Sequence, residues 1–205
     1  MMADASKWVA VLGGARRYDK AQLHAAYRCG AELARHGRGI ITGATTGVPY
    51  AAALGVMDEG GFVVGISPAS SAAEHVGRFG KPLTAARLVI YSGLGVEGRG
   101  PLILRSAGAA IFIGGEMGTL AEFAAGWLCG CPYLGLLEGV GGITADLRRI
   151  AVSVETTWGS TVVCSSEPTA LAAEICRRLD ATAPQPEDGP TLADVTESIA
   201  ELRPC

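Results

Sequence analysis

Four glycine-rich stretches, with a few charged residues beside them, are the parts of this sequence with chemistry to offer. They are Gly13-Gly14, Gly43-Ala44-Thr45-Thr46-Gly47, Gly93-Leu94-Gly95 and Gly114-Gly115-Glu116-Met117-Gly118-Thr119. Glycine lets a backbone approach an anion closely, a helix start aims unpaired N–H groups at it, and the Thr119 hydroxyl adds a donor. The expected guest is a phosphate or a similar oxyanion. Glu122 follows Gly118 by one helical turn, which returns its carboxylate to the mouth of the loop. A carboxylate so placed can stabilise positive charge or orient a water. An acidic residue in a first turn can equally do no more than complement the helix dipole. Arg99, inside Val96-Glu97-Gly98-Arg99-Gly100, sits in a glycine-rich loop where contact with an anionic ligand is expected; its plain alternative is a solvated surface arginine. Arg16 and Arg17 supply two more cations near the first glycine pair, or else surface ion pairs worth little.

Other constellations carry less. Glu74 and His75 are neighbours in sequence, but adjacent residues need not face each other, and a polar residue near a helix start is the commoner explanation. Cys129 and Cys131 form CGC and not CxxC, and His24, His36 and His75 all lie far upstream. Reduced thiols in the core are expected, Cys164 and Cys176 among them, with no disulfide framework and no metal site. The pattern GxxxxGK[ST] is absent and no lysine is close in sequence to the glycine loops, which argues against a P-loop nucleotidase. GxGxxG is missing after the first strand, where the text is GGARRY, and ITGATTG offers no acidic residue for a ribose diol. An ordinary NAD enzyme is disfavoured.

The elements that must position these loops can be read from apolar runs. WVAVLGG from Trp8, GIITG from Gly39, FVVGISP, RLVIYSG, AAIFIGG, PYLGLLE and TVVCSS read as seven buried strands ending in turns. Between them, Lys20 to His36, Val48 to Glu59, a stretch from Pro101 onward, Thr119 to Cys129, Asp146 to Val154 and Glu167 to Leu179 read as helices, while the polar segment after Pro68 carries Glu74, His75, Arg78 and Lys81. Trp127, Phe123 and Leu128 share one apolar helix face, expected to serve packing or a subunit interface. Alternating strands and helices predict an α/β fold: a Rossmann-like, doubly wound parallel sheet of about seven strands with helices on both faces. In such a sheet all the glycine loops line one rim.

The 205 residues suit one domain, residues 1–180, followed by a proline-rich acidic linker and a short helix over 181–205, striped by Leu192, Val195, Ile199 and Leu202. With 49% hydrophobic and 18% charged residues the chain is not disordered. A net charge of −3, with Lys7, Lys20 and Lys81 as the only lysines, leaves no basic field for nucleic acid. The start lacks a secretory signal and no apolar run is long enough for a membrane, so a soluble cytoplasmic protein is expected.

The span from Thr42 to Glu122 carries a family likeness. TGATTGVPYAAALGV, GISPA followed by Glu74-His75, SGLGVEGRG and RSAGAAIFIGGEMGTLAE resemble the Rossmann-like superfamily of the LONELY GUY phosphoribohydrolases and the molybdenum-cofactor carrier proteins. GGxxGTxxE is the most specific element, and VPYAAALGV and GISPA resemble the carrier-like branch more. The hydrolases cleave the base from a nucleoside 5′-monophosphate. Their motif PGGxGTxxE is matched here at Gly114, Gly115, Gly118, Thr119 and Glu122, with Ile113 in place of proline, Arg99 near the position of the motif's arginine, and TTGVPY where that branch has a GLMG-type signature. The resemblance implies a phosphorylated nucleotide-like or pterin-phosphate ligand, held at Gly13, Gly14, Arg16, Gly43, Thr45, Gly47, Gly95, Arg99, Gly114, Gly115, Gly118 and Thr119. It further implies the molybdenum cofactor as bound cargo, or, on the hydrolase reading, Glu122 and Arg99 as catalytic residues. A homodimer or higher homo-oligomer is common in the superfamily. A third reading makes the rim a structural anion site in a protein that works through partners.

Overall fold

The central strands are continuous apolar runs whose successive side chains point to opposite faces, so each strand must be covered on both sides. In the computed structural model, which describes residues 5–154 and 159–182, seven strands form one wholly parallel sheet. They are β1 (Trp8–Gly13), β2 (Gly39–Thr42), β3 (Val63–Ser67), β4 (Leu88–Tyr91), β5 (Ala109–Ile113), β6 (Tyr133–Leu137) and β7 (Thr161–Ser165), in the order β4-β3-β2-β1-β5-β6-β7. Seven helices connect and close them: α1 (Lys20–Arg35), α2 (Val48–Asp58), α3 (Ala72–Gly77), α4 (Gly95–Arg105), α5 (Met117–Leu128), α6 (Thr144–Ser153) and α7 (Pro168–Thr182). The doubly wound α/β architecture is the one expected from the sequence.

Alternation divides the core in two. Val9, Val11, Ile40, Val63, Ile111 and Ile113 face α1, α2 and α7, whereas Ala10, Leu12, Ile41, Ile66, Ala110 and Phe112 face α4, α5 and α6. On the first side α1 and α2 touch backbone to backbone. A Cβ on Gly30 would stand 2.1 Å from the Ala52 carbonyl oxygen, and one on Gly55 would stand 2.1 Å from that of Tyr27. α1 is started by a capping box in which Asp19 accepts from the Gln22 amide and the Gln22 side chain accepts from that of Asp19.

Several boundaries differ from the sequence reading. α4 begins at Gly95 and contains Pro101, because only one ladder donor is lost there and Ile103 and Leu104 still anchor the helix in the core. The polar segment after Pro68 contains a helical turn, α3, started by the Ser71 hydroxyl accepting from the Glu74 amide. Cys29, Cys131 and Cys176 are buried free thiols, but Cys164 is only half-buried because β7 is an edge strand. Phe123 turns into the core and stacks edge-on against Phe112 and Trp127, leaving Leu128 outside. α7 runs to Thr182; the linker and the apolar stripe predicted beyond it lie outside the described residues. No described helix is long and apolar enough to cross a membrane.

Candidate functional site

β1 is followed in space by β2 on one side and β5 on the other, so the chain reverses its winding direction between β1 and β5. Crevices open beyond the carboxyl ends of strands at such a switch point. A cleft of about 470 Å³ lies there. Gly13 ends β1, Arg16 follows it, Gly43 and Thr45 come from the loop after β2, Arg99 from α4, and Gly118, Thr119 and Glu122 from α5, and all eight border the cleft.

The remaining predicted residues support this frame without lining it. The Gly14 carbonyl accepts from the Val48 amide at 2.8 Å. Gly47 lies so close to Gly14 that a Cβ would be 2.3 Å from the same oxygen. The Gly95 amide is bonded to the Pro68 carbonyl at 3.1 Å, and the Gly114 amide to the Thr144 hydroxyl at 3.1 Å. Gly115, at φ +84°, sits under Thr119, whose Oγ1 would be 2.1 Å from an added Cβ. These glycines let loops and helix starts pack against one another, and that contact presents Thr119 and Glu122.

Arg99 is the most constrained charge. It is 7% exposed, donates to the Gly43 carbonyl, and has a buried Nε with no partner. A Cβ on Gly43 would press on the guanidinium at 2.7 Å, so glycine is what makes room for it. Burial lowers the pKa of Arg99, partly offset by Glu122 and then Glu97. Glu122 is half-buried opposite, packed near Gly100. Burial pushes its carboxyl up to about 7 against the opposing pull of Arg99.

The sequence reading missed a third wall. Arg78, Phe79 and Lys81, from the arm between β3 and β4, border the same cleft. No lysine is near the glycine loops in sequence, yet folding brings Lys81 to them, where its Nζ donates to the Thr46 hydroxyl at 3.2 Å. Burial lowers the Lys81 pKa, and so does repulsion from Arg16 and Arg99. The available signal was topological: a segment directly after a parallel strand belongs to the same rim as the other strand ends.

Arg16, Lys81 and Arg99 thus share one field, and among the described residues none of them has a carboxylate within ion-pair distance. Away from the cleft arginines are matched, Arg28 with Glu167 at 3.1 Å and Arg148 with Glu138 at 3.3 Å. Glu97, Glu116 and Glu122 border the same cleft, Glu116 paired with Arg17 at 3.2 Å, but none closes an ion pair with Arg16, Lys81 or Arg99, and an anion bound among those three would supply the close negative charge that they lack. Among the described residues no cysteine borders the cleft, and no group of them could hold a metal ion. Glu74 and His75 do not form a pair: Glu74 binds Ser70 and Arg78, and His75 is fully buried.

Comparison with known proteins agrees with this architecture. A structural-genomics target, TM1055, superposes with a TM-score of 0.73 at 24% identity, covering 84% of this chain and 99% of that one. The molybdenum cofactor carrier protein of Chlamydomonas reinhardtii superposes at 0.67 with 23% identity, covering 85% and 98%. The molybdenum cofactor binding protein of Rippkaea orientalis does so at 0.65 with 23% identity, covering 89% and 98%. An uncharacterised protein of Archaeoglobus fulgidus is 33% identical over 111 residues, 54% of this chain and 68% of that protein. The Rossmann-like superfamily likeness read from the motifs is therefore met in the fold, and the sequence model of one of its families matches residues 6–164. The chain belongs to the SLOG cluster4 family.

Proposed function

We propose that this protein binds a phosphorylated small molecule, nucleotide-like or pterin-phosphate, in the switch-point cleft and works by holding and shielding it. The observation that carries the reading is the convergence of Arg16, Lys81 and Arg99, none of them closed into an ion pair among the described residues, on a glycine-bordered crevice. A phosphate dianion would relieve their mutual repulsion and accept from several donors at once. The likeness to molybdenum cofactor carrier and binding proteins supports cargo of that class. The described residues of the cleft offer such cargo cations and backbone groups for its phosphate.

A second reading rests on Glu122. With a pKa near 7 it exchanges a proton readily at neutral pH, as a general acid or base must. In a phosphoribohydrolase it would take a proton from water as the oxygen bonds to C1′ of the ribose and the N-glycosidic bond breaks, and then pass that proton to the departing base nitrogen. Arg99 would hold the phosphate or steady the leaving base. The homo-oligomer implied by the superfamily would use what α5 leaves outside, Met117 and Leu128.

Thermal denaturation with sulfate, molybdate, tungstate and a panel of nucleoside 5′-monophosphates tests the binding reading. At least one should raise the midpoint, since a ligand at 100 times its Kd stabilises by about 2.7 kcal/mol, and Lys81→Ala and Arg99→Ala should blunt the rise. No shift with any of them would remove the proposal. Free base released from a monophosphate by the purified protein, and lost in Glu122→Ala, would replace holding by hydrolysis.

A further inference from the structure

We infer that the arm between β3 and β4, residues 68–82, recognises a planar ring on the ligand, with Phe79 as its platform and Lys81 beside it on the phosphate. The inference rests on the anion-binding reading above and deepens it by assigning the residues that take the ring of such a ligand and set its preference over a bare sugar phosphate.

The arm is built before any ligand arrives. His75, fully buried at its centre, has Nδ1 2.8 Å from the Ser67 hydroxyl and Nε2 3.3 Å from the Pro82 carbonyl. A carbonyl only accepts, so Nε2 carries the hydrogen, Nδ1 accepts from Ser67, and the Ser67 oxygen in turn accepts from the Ala69 amide at 3.0 Å. This chain of bonds ties the start of the arm to its end. The Glu74 carboxylate accepts from the Ser70 amide and hydroxyl and from Arg78 at 2.8, 2.6 and 2.8 Å. The amides of Phe79, Gly80 and Lys81 donate to the carbonyls of Glu74, Val76 and His75. Little ordering is left for binding to impose, and preorganised contacts favour affinity.

The chemistry along the arm is divided. Lys81 joins the cationic group with Arg16 and Arg99. Two residues earlier Phe79, half-buried, is the single aromatic side chain among the described residues bordering the cleft, and Pro49, Pro68 and Val96 extend its apolar wall. The Arg78 guanidinium lies over the Phe79 ring, 5.2 Å from its centre, and is held there by Glu74, which steadies the ring from one face. A bare phosphate would fill a small part of a 470 Å³ cleft. A phosphate with a ring attached would use both the charged and the apolar parts, the usual division of a small-molecule site.

Calorimetric titration of sulfate, ribose 5-phosphate and adenosine 5′-monophosphate into the full chain and its Phe79→Ala, Phe79→Leu and Lys81→Ala variants tests this. The same titrations in Glu122→Gln keep cleavage of the nucleotide from passing as binding. We expect the nucleotide to bind about tenfold tighter than ribose 5-phosphate, the scale of one ring stacked on an aromatic side chain. Phe79→Ala should erase that advantage and leave ribose 5-phosphate unchanged; if that variant fails to fold, Phe79→Leu should do the same. Lys81→Ala should weaken both ligands by the same factor. Equal binding of the two ligands by the native protein, or equal weakening of both by the Phe79 variants, overturns the inference alone. If none of the three anions binds, the anion-binding reading falls and the inference with it.

Discussion

The two sides of the cleft are made in opposite ways. On the β5–α5 side, residues 114–122, backbone packs on backbone and the glycines do the shaping: Gly115 accepts the Thr119 side chain above it, and Gly142 approaches the Gly115 amide nitrogen so closely that a Cβ would be 2.8 Å away. On the β3–β4 side, residues 68–82, side chains do the shaping, through His75, Ser67 and Glu74. The first construction has no room for an added atom at Gly114 or Gly115, and the second depends on each of its polar partners. Both end with a titratable group on the cleft, Glu122 on one and Lys81 on the other.

The sharpest way to break the contrast is to add atoms on the glycine side. Gly115→Val places branched carbon where Thr119 already stands and asks for a φ of +84° that such residues avoid. Strain and overpacking together should cost about 4 kcal/mol or more in chemical denaturation. A loss below about 1 kcal/mol would mean that the loop yields and that the glycine is not what shapes it.

A smaller effect separates the two titratable groups. Glu122 has a pKa of about 7 folded and about 4.3 in an unfolded chain. Between those values the native state holds more protons, so stability must fall as pH rises from about 4.3 to 7 and then level off. Glu122→Gln should flatten that slope and, at pH 8, gain about 2 kcal/mol, less than the whole shift implies because the carboxyl is partly exposed. Sulfate, whose own charge is constant over this range, should bind more tightly at pH 6 than at pH 8 in the native protein, and this dependence should shrink in the variant. A slope that survives in Glu122→Gln would assign it to another group.

The smallest effect is a control on the matched charges. Arg17 and Glu116 are 85% and 56% exposed, so Arg17→Ala should change stability by less than about 0.5 kcal/mol. It should also leave sulfate affinity nearly unchanged, whereas Arg16→Ala, one residue away and without a carboxylate, should weaken it. Equal effects at both positions would show that the cleft responds to net charge and not to its unmatched cations.

The same contrast explains what the sequence could reveal. Strand ends followed by glycine pairs are legible because turn geometry and period leave a mark in one dimension, and so the sheet, its seven strands and the β1, β2 and α5 parts of the cleft were readable. Glu122 and Arg99 were readable as well, since each lies within a helical turn or two of a glycine motif. The arm was not: His75 looks like any polar residue near a helix start, and its two bonds are to partners at either end of a fold-back. Lys81 is far along the chain from the loop at residues 43–47, and only the fold brings the two together. Pro101 misplaced the start of α4, since a proline marks a helix start more often than it sits inside a helix.

The contact between α1 and α2 has its own consequence for the cleft. With Gly30 and Gly55 at the crossing, no side-chain layer separates the two helices. Their starts carry the loops that hold Arg16 and Gly43, and those loops are stitched directly by Val48 to Gly14 and Thr46 to Ala15. The gap between a cation on one loop and a carbonyl on the other is therefore gauged by main-chain thickness. Mutational drift in the surrounding core can swap one aliphatic residue for another without resetting that gauge, which is how a lineage could vary its interior widely while the width of its crevice stays the same.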